Sequence, residues 1–492
     1  MLFSLIFLPL LTAFVNLLLK RGGVRLFSII VSFIVLILNF KLLLSFLQGN
    51  LLEYKIFFIN FENYFALSNT ALILMFLSSL MIFISFLFLN IKRKGIISAI
   101  FFLEFAIMGL FSVKNGLLFY VFWEFSLLPL LYIMGVYGKD YKAGVKFFIY
   151  SFVGSILMLV AMIYQAYLNY ELLGFFTFDI NIWKENASAV NFTEQLLLFL
   201  AFFIAFAIKA PLFPFHTWAI KVYVNSPAIV SVMLVVFKMA PYGFLMFCLP
   251  LFPDASVYFM PLIIALCIVS IVYNALIAYK ATNLKELIAY SSISHIGVMI
   301  LGIFSLNQIG ISGAVFYMFA HGVVTGALFL MAELLYKKYK SYELSFYHSL
   351  AKKAPLFSVF FMLILLASIS LPTTLSFVGE FLVLLGTAKL NLFYAFLAGL
   401  VIILSAIYML SVFRKIFFMQ KDSFLESFSL NFKEILSLVC VVFVIFYLGI
   451  FPNFILKPLQ KDANELIKTM NIRAIEQESL KFLSKMGETN AK

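Results

Sequence analysis

Phe206–Trp218 reads FAIKAPLFPFHTW and closes an apolar run that begins near Leu196. Lys209 follows LLLFLAFFIAFAI, so an ammonium group lies deep in sequence suited to hydrocarbon. Pro211 and Pro214 come directly after it. A helix that meets two prolines must bend or break there, which frees backbone carbonyls. A charge at the bilayer centre costs roughly 2.5–3.5 kcal/mol on insertion scales. That cost makes function the default reading of Lys209. The blander reading is a stem that snorkels to an interface.

The rest of the chain has the same character. Of 492 residues, 64% are hydrophobic and 12% charged, a balance foreign to soluble domains. Apolar runs of about twenty residues recur from end to end, each long enough to span a bilayer. The expected fold class is an all-α integral membrane protein of about fourteen crossings. The spans read near 2–19, 24–47, 69–91, 96–113, 115–137, 144–169, 194–224, 226–250, 257–280, 284–305, 309–336, 354–389, 391–418 and 431–456. The first is expected as a retained helix, since MLFSLIFLPLLTAFVNLLLK lacks a basic leader and a small-residue cleavage site. The net charge of +13 follows the loops and does not indicate nucleic-acid binding. Cys248, Cys267 and Cys440 sit inside apolar runs, at spacings that suit neither zinc nor an iron–sulfur cluster.

Cations set the orientation. Lys20, Arg21 and Arg25 follow the first span, Lys92, Arg93 and Lys94 the third, and Lys139, Lys142 and Lys146 the fifth. Lys280 and Lys285 follow the ninth, Lys337, Lys338, Lys340, Lys352 and Lys353 the eleventh, and Arg414, Lys415, Lys421 and Lys433 the thirteenth. Of the odd-numbered exits only the seventh is poor in charge. The positive-inside rule therefore puts both termini outside. Residues 48–68 and 170–193 are expected as outer hairpins or surface helices, and 457–492 as a polar tail with no chemistry.

A second interrupted span, Ser370–Glu380, reads SLPTTLSFVGE. Paired broken helices mark transporters built from repeats. The two breaks fall in spans seven and twelve, so the repeats hold five helices each and must be inverted. The expected organisation is helices one to three in 1–95, one repeat of helices four to eight in 96–250, a second of helices nine to thirteen in 257–418, helix fourteen in 431–456, and the tail. From Glu124 to Lys209 is 85 positions, and from His295 to Glu380 is also 85.

Ionisable groups fall at corresponding places. Glu124, in FYVFWEFSLLP, cannot stay ionised among Phe, Trp and Leu without a partner. Lys209 and Lys238 are its nearest candidates by type. Lys238 lies mid-helix in VVFKMAPYG, before Pro241. A Glu–Lys pair with a second Lys is a proton relay if its geometry changes, and a static helix-pinning bridge if it does not. His295 and His321 stand mid-span, where histidine either passes protons between its two nitrogens or simply hydrogen-bonds helices together. Glu380 lies beyond Pro372 and Gly379, beside freed backbone. Glu104, in IFFLEFAIMG, is a further buried acid that either joins the series or pairs locally. Glu333 and Lys146, near span ends, read as interfacial. No glycine-rich nucleotide fingerprint, phosphate loop or cysteine framework is present, so the chain offers no motif for NADH, flavin or an iron–sulfur cluster.

FWEFSLLP, KAPLFPFHTW, FKMAPYG, NLKELIAYSSISHIG, FYMFAHG and FVGEF together resemble the antiporter-like subunits of respiratory complex I, over nearly the whole chain. Glu380, where other branches carry Lys, resembles the subunit M branch, and the chain stops short of the long lateral helix of subunit L. The resemblance implies a proton channel through Glu124, Lys209, Lys238, His295, His321 and Glu380. Flavin, iron–sulfur clusters and quinone would be held by partner subunits and no cofactor or metal by this chain. It also implies L- and N-type membrane subunits, the lipid bilayer and protons as partners, and the cell inner membrane as location. In place of the family's LPDAH after HTW, this chain reads AIKVYVN and lacks the usual Asp and second His. The alternatives are a Mrp-type cation/proton antiporter subunit, a membrane-bound hydrogenase subunit, or a structural subunit whose buried charges only bolt helices.

Overall fold

The structure is a computed structural model that describes residues 1–20, 22–48, 64–91, 93–419 and 425–470, with the backbone of 55–56 and 59–60. Fourteen helical stretches are labelled in chain order. They are α1 Leu2–Leu18, α2 Val24–Leu47, α3 Asn69–Phe88, α4 Lys94–Ser112, α5 Gly116–Tyr137, α6 Tyr141–Leu173, and α7 in two pieces, Phe192–Lys209 and Thr217–Asn225. Then follow α8 Ala228–Leu251, α9 Pro253–Lys280, α10 Leu284–Ile303, α11 Gln308–Tyr339, α12 in two pieces, Pro355–Ser368 and Leu375–Leu390, α13 Leu392–Phe417 and α14 Phe432–Ile450. Among the described residues, twelve helices are long and apolar enough to cross a membrane.

Short polar residues start these helices. The side chains of Asn115, Asp140, Asn191, Asn283, Asn307 and Asn391 each accept from a backbone N–H of the turn that follows. Asn431 and Glu434 form a reciprocal capping box on α14. Pro253 and Pro355 occupy first-turn positions, where no N–H is needed. Of the two expected outer segments, 48–68 contains a two-residue antiparallel pairing of 55–56 with 59–60, and 170–193 contains the short helix Ile180–Glu185. Residues 453–470, reaching into the tail, are helical, and Asp462 caps α3 from there, accepting from Thr70 N at 2.8 Å and Asn69 Nδ2 at 2.6 Å. The rest of the tail and much of 48–63 lie outside the described residues.

The connections sort themselves into two ends. Lys94 Nζ donates to Leu17 O at 3.4 Å, and Arg93 lies over the Tyr137 ring. Lys139 N donates to Asn225 O, Lys285 Nζ to Ser226 O at 2.7 Å, Leu284 N to Tyr342 O and Ser349 N to Met419 O. These links run through every connection that follows an odd-numbered helix. At the other end Ala66 N meets Ser112 O, Gly116 N meets Phe178 O, Gln195 meets Asp254, and Asn307 meets Gly386 O. The basic connections thus share one end. The seventh, poor in cations of its own, borrows one there. The Lys285 ammonium sits on the Ser226 carbonyl at the C-terminal end of α7, where a positive charge is favoured.

The breaks in α7 and α12 lie where the prolines require them. Pro211 has no N–H for Ala207 O, and Leu212 N takes that carbonyl at 3.0 Å. Ile208 O, freed in turn, accepts from the Trp218 indole at 2.9 Å. In α12, Leu371 N reaches back to Leu366 O at 3.0 Å, and Ser370 and Thr373 take left-handed backbone with φ of 56° and 81°. A third break corrects the expectation that Lys238 is mid-helix. The first stretch of α8 ends at Val236, Phe237 is extended, and Lys238 caps a new start at Met239. Pro241 is the cause, since it offers no N–H to Phe237 O. A π-helical turn, Phe244–Cys248, follows.

The central element is α11, which is buried over nearly all its length and packs on α3, α8, α10 and α12. Its approach to α12 depends on the absence of side chains. A Cβ on Gly379 would stand 2.7 Å from Tyr317 Cα, and one on Gly313 2.9 Å from Val383 N. Small residues let helices approach this closely in a membrane. Replacing Gly379 by Leu should therefore separate α11 from α12. A stability loss of about 1–3 kcal/mol or more, read as a lower thermal unfolding temperature, is the expected outcome. An unchanged unfolding temperature would contradict this packing.

Candidate functional site

The three helix breaks and α11 bring most of the sequence-selected groups into one line. Lys238, buried at the start of the second stretch of α8, places its Nζ 2.9 Å from His321 Nδ1 on α11. The His321 and His295 rings have centroids 6.0 Å apart, and no direct hydrogen bond joins them. His295 Nδ1, on α10, lies 2.7 Å from the Tyr317 hydroxyl. That hydroxyl donates to Glu380 Oε2 at 3.2 Å, and the Ser370 hydroxyl donates to the same oxygen. The second carboxylate oxygen of Glu380 and the Nε2 atoms of both histidines are buried without a hydrogen-bond partner among the described residues. Behind Glu380, the Tyr408 hydroxyl lies 2.8 Å from Ser291 Oγ.

At the other end of the line the link is a space. A cavity of about 40 Å³ is walled by Lys209, Pro211, Trp218, Tyr223, Lys238 and Pro241, among others. Two or three waters fit such a volume, since one needs roughly 10–15 Å³. The Lys209 Nζ is buried and has no hydrogen-bond partner among the described residues. It lies between two ring faces, 5.5 Å from the centre of Trp123 and 5.2 Å from that of Phe147. Glu124 is half-buried one residue from Trp123, within electrostatic reach of Lys209 and near Ser155. The two form no ion pair. Ion pairs elsewhere include Lys114–Asp179, between connections, and Lys338–Glu426, between the end of α11 and a connection.

Glu104 stands apart. It is fully buried on α4, with both oxygens unpartnered among the described residues, and joins none of these hydrogen bonds. Tyr317, Ser370 and Tyr408 were not singled out from the sequence. For Tyr317 the signal was available, because it lies four residues before His321 and so on the same face of α11. Ser370 is placed by the left-handed turn, which sequence spacing does not reveal. Among the described residues no group of three or more His, Cys, Asp or Glu is gathered to hold a metal.

Residues 113–408 match the family model described as NADH:quinone oxidoreductase/Mrp antiporter, transmembrane. The chain is 40% identical over 366 residues to NADH-quinone oxidoreductase subunit M of Rickettsia prowazekii (strain Madrid E), covering 73% of each chain. It is 36% identical over 398 residues to NADH-ubiquinone oxidoreductase chain 4 of Chondrus crispus, covering 79% of each. In structure it is similar to a chain of respiratory complex I from Thermus thermophilus with bound NADH, with a TM-score of 0.88 and 29% identity over 96% of this chain and all of that one.

Two donors on one buried carboxylate oxygen make a specific expectation. Tyr317→Phe and Ser370→Ala each strip one hydrogen bond from Glu380, at a cost of about 1–3 kcal/mol of stability. The double variant should lose more than the sum, because it leaves that oxygen bare. Additive or negligible losses in denaturation of the purified protein would show that Glu380 is held some other way.

Proposed function

Because the chain belongs to the NADH:quinone oxidoreductase/Mrp antiporter transmembrane family, we propose that it is the subunit-M-type, proton-translocating membrane subunit of an NADH–quinone oxidoreductase. The observation that carries the reading is the line of proton-exchanging atoms from Lys238 through His321, His295 and Tyr317 to Glu380. Lys238 passes a proton to His321 Nδ1 when that atom is the unprotonated nitrogen, and His321 releases one from Nε2. A water spans the interval to His295. The Tyr317 hydroxyl then accepts a proton from one neighbour as it donates its own to the other. On the opposite side, waters in the cavity connect Lys238 to Lys209. Glu124 biases Lys209 by its charge, and a change in their separation is the switch.

Helices α4–α8 and α9–α13 form the two inverted repeats in this reading, with the breaks of α7 and α12 in matching places. Glu380 is the exit, or the link to the next antiporter-like subunit of the membrane arm. Glu104 lies outside the relay and adjusts the field near it. The termini face the outer, periplasmic side of the cell inner membrane. The redox chemistry of flavin, iron–sulfur clusters and quinone belongs to partner subunits, and this chain converts its energy into proton movement.

Lys209→Ala and Glu124→Ala should each abolish most proton pumping while the complex still assembles. The measurement is the proton-to-electron ratio of the reconstituted complex, and a wild-type ratio in either variant would sink the assignment. Copurification with flavin and iron–sulfur subunits separates this reading from a stand-alone cation/proton antiporter.

A further inference from the structure

An open hollow of about 960 Å³ lies at the basic end of the bundle, between the α1–α2 turn, the α3–α4 turn and the end of α5. Gly22, Arg25, Asn90, Arg93, Lys94, Gly95 and Tyr137 line it. No carboxylate among the described residues lines it. Arg25 Nε is buried and has no hydrogen-bond acceptor among the described residues. The Arg93 guanidinium lies 4.9 Å from the centre of the Tyr137 ring, which fixes its plane and leaves its edge donors open. Lys94 is held by one bond to Leu17 O at 3.4 Å.

The charges packed around the hollow deepen its positive character. Lys337, on α11, is close enough to Arg25 to repel it. The nearest acids are engaged elsewhere. Glu333 lies in the adjoining groove with Arg93 and Lys337 and accepts from the Tyr342 hydroxyl at 2.7 Å. Glu434 faces Lys337 and accepts from Asn431 N at 2.8 Å. The three cations thus frame a place that suits an anion, and two of them are guanidinium forks suited to phosphate oxygens.

The surface beside the hollow says what carries the anion. Leu17, Leu18, Leu26, Ile30 and Val136 are all exposed, Leu18 to 86%. They stand on α1, α2 and α5, on the membrane side of the cations. A phosphate in the hollow would have acyl chains lying on these side chains. We propose that this hollow is a binding site for the headgroup of an anionic phospholipid of the basic-side leaflet. The site stands on the membrane fold alone and does not depend on the proton relay.

The test is native mass spectrometry of the gently solubilised complex, stripped of loosely held lipid and then offered defined probes. Phosphatidylglycerol or cardiolipin should be retained by wild type, phosphatidylcholine and inorganic phosphate should not. The Arg25→Gln/Arg93→Gln double variant should lose retention by about tenfold or more. Lys94→Gln alone should give a smaller loss, which keeps the test open if the double variant fails to assemble. Lys352→Gln, an exposed cation elsewhere on the same end, should change nothing. Unchanged retention in both hollow variants overturns the proposal. So does equal retention of phosphatidylcholine, or of inorganic phosphate, which would make this a free-anion site.

Discussion

In hydrocarbon a backbone carbonyl released by proline finds no water, so each one must be given a new donor or left beside a polar cavity. The arrangement of the molecule follows from that constraint. Pro211 releases the end of the first piece of α7, and the repair needs Leu212 N and the Trp218 indole. Pro241 opens α8 at Phe237, and Pro372 opens α12 behind a left-handed turn. Each opening has an ionisable side chain next to it: Lys209, Lys238 and Glu380. The freed backbone and the buried charge make each other tolerable, because both gain from the same neighbours and, at α7 and α8, lie beside a cavity large enough for water. Helices α10 and α11, which carry the histidines, remain regular because they are enclosed by these openings and have no proline to accommodate.

Much of this was legible in the sequence. Span lengths, the caps formed by Asn and Asp, and the two breaks at KAPLFP and SLPTT all follow from local rules, and the helices fall within a few residues of the expected positions. The ionisable groups were legible because a charge in an apolar run is costly and stands out against its neighbours. The third break was written in KMAP but was read as a continuous helix. Sequence weighs one Pro near the middle of a span as a kink, whereas the packing around α8 lets it open fully.

What was not legible was the set of neutral hydroxyls. Tyr and Ser are common in membrane helices and cost little there, so their presence announces nothing. Only the fold reveals that Tyr317 stands between His295 and Glu380, or that the left-handed backbone of Ser370 brings its hydroxyl to the same carboxylate. Nor did the sequence show that Lys285 completes the charge-poor connection after α7. That contact joins residues 59 positions apart through a backbone carbonyl, and no side-chain pattern encodes a carbonyl partner.

The setting of Lys209 has a further consequence. Aromatic faces attract a cation through their quadrupole, yet they have no lone pair that can take its proton. Trp123 and Phe147 therefore supply a place where charge rests without leaking. In electrical language this end of the proposed relay is a capacitor plate, and the run from Lys238 to Glu380, interrupted between His321 and His295, is the wire. In the proposed relay a gap the size of a few water molecules stands between plate and wire, and its filling or drying would set when the stored charge is passed on.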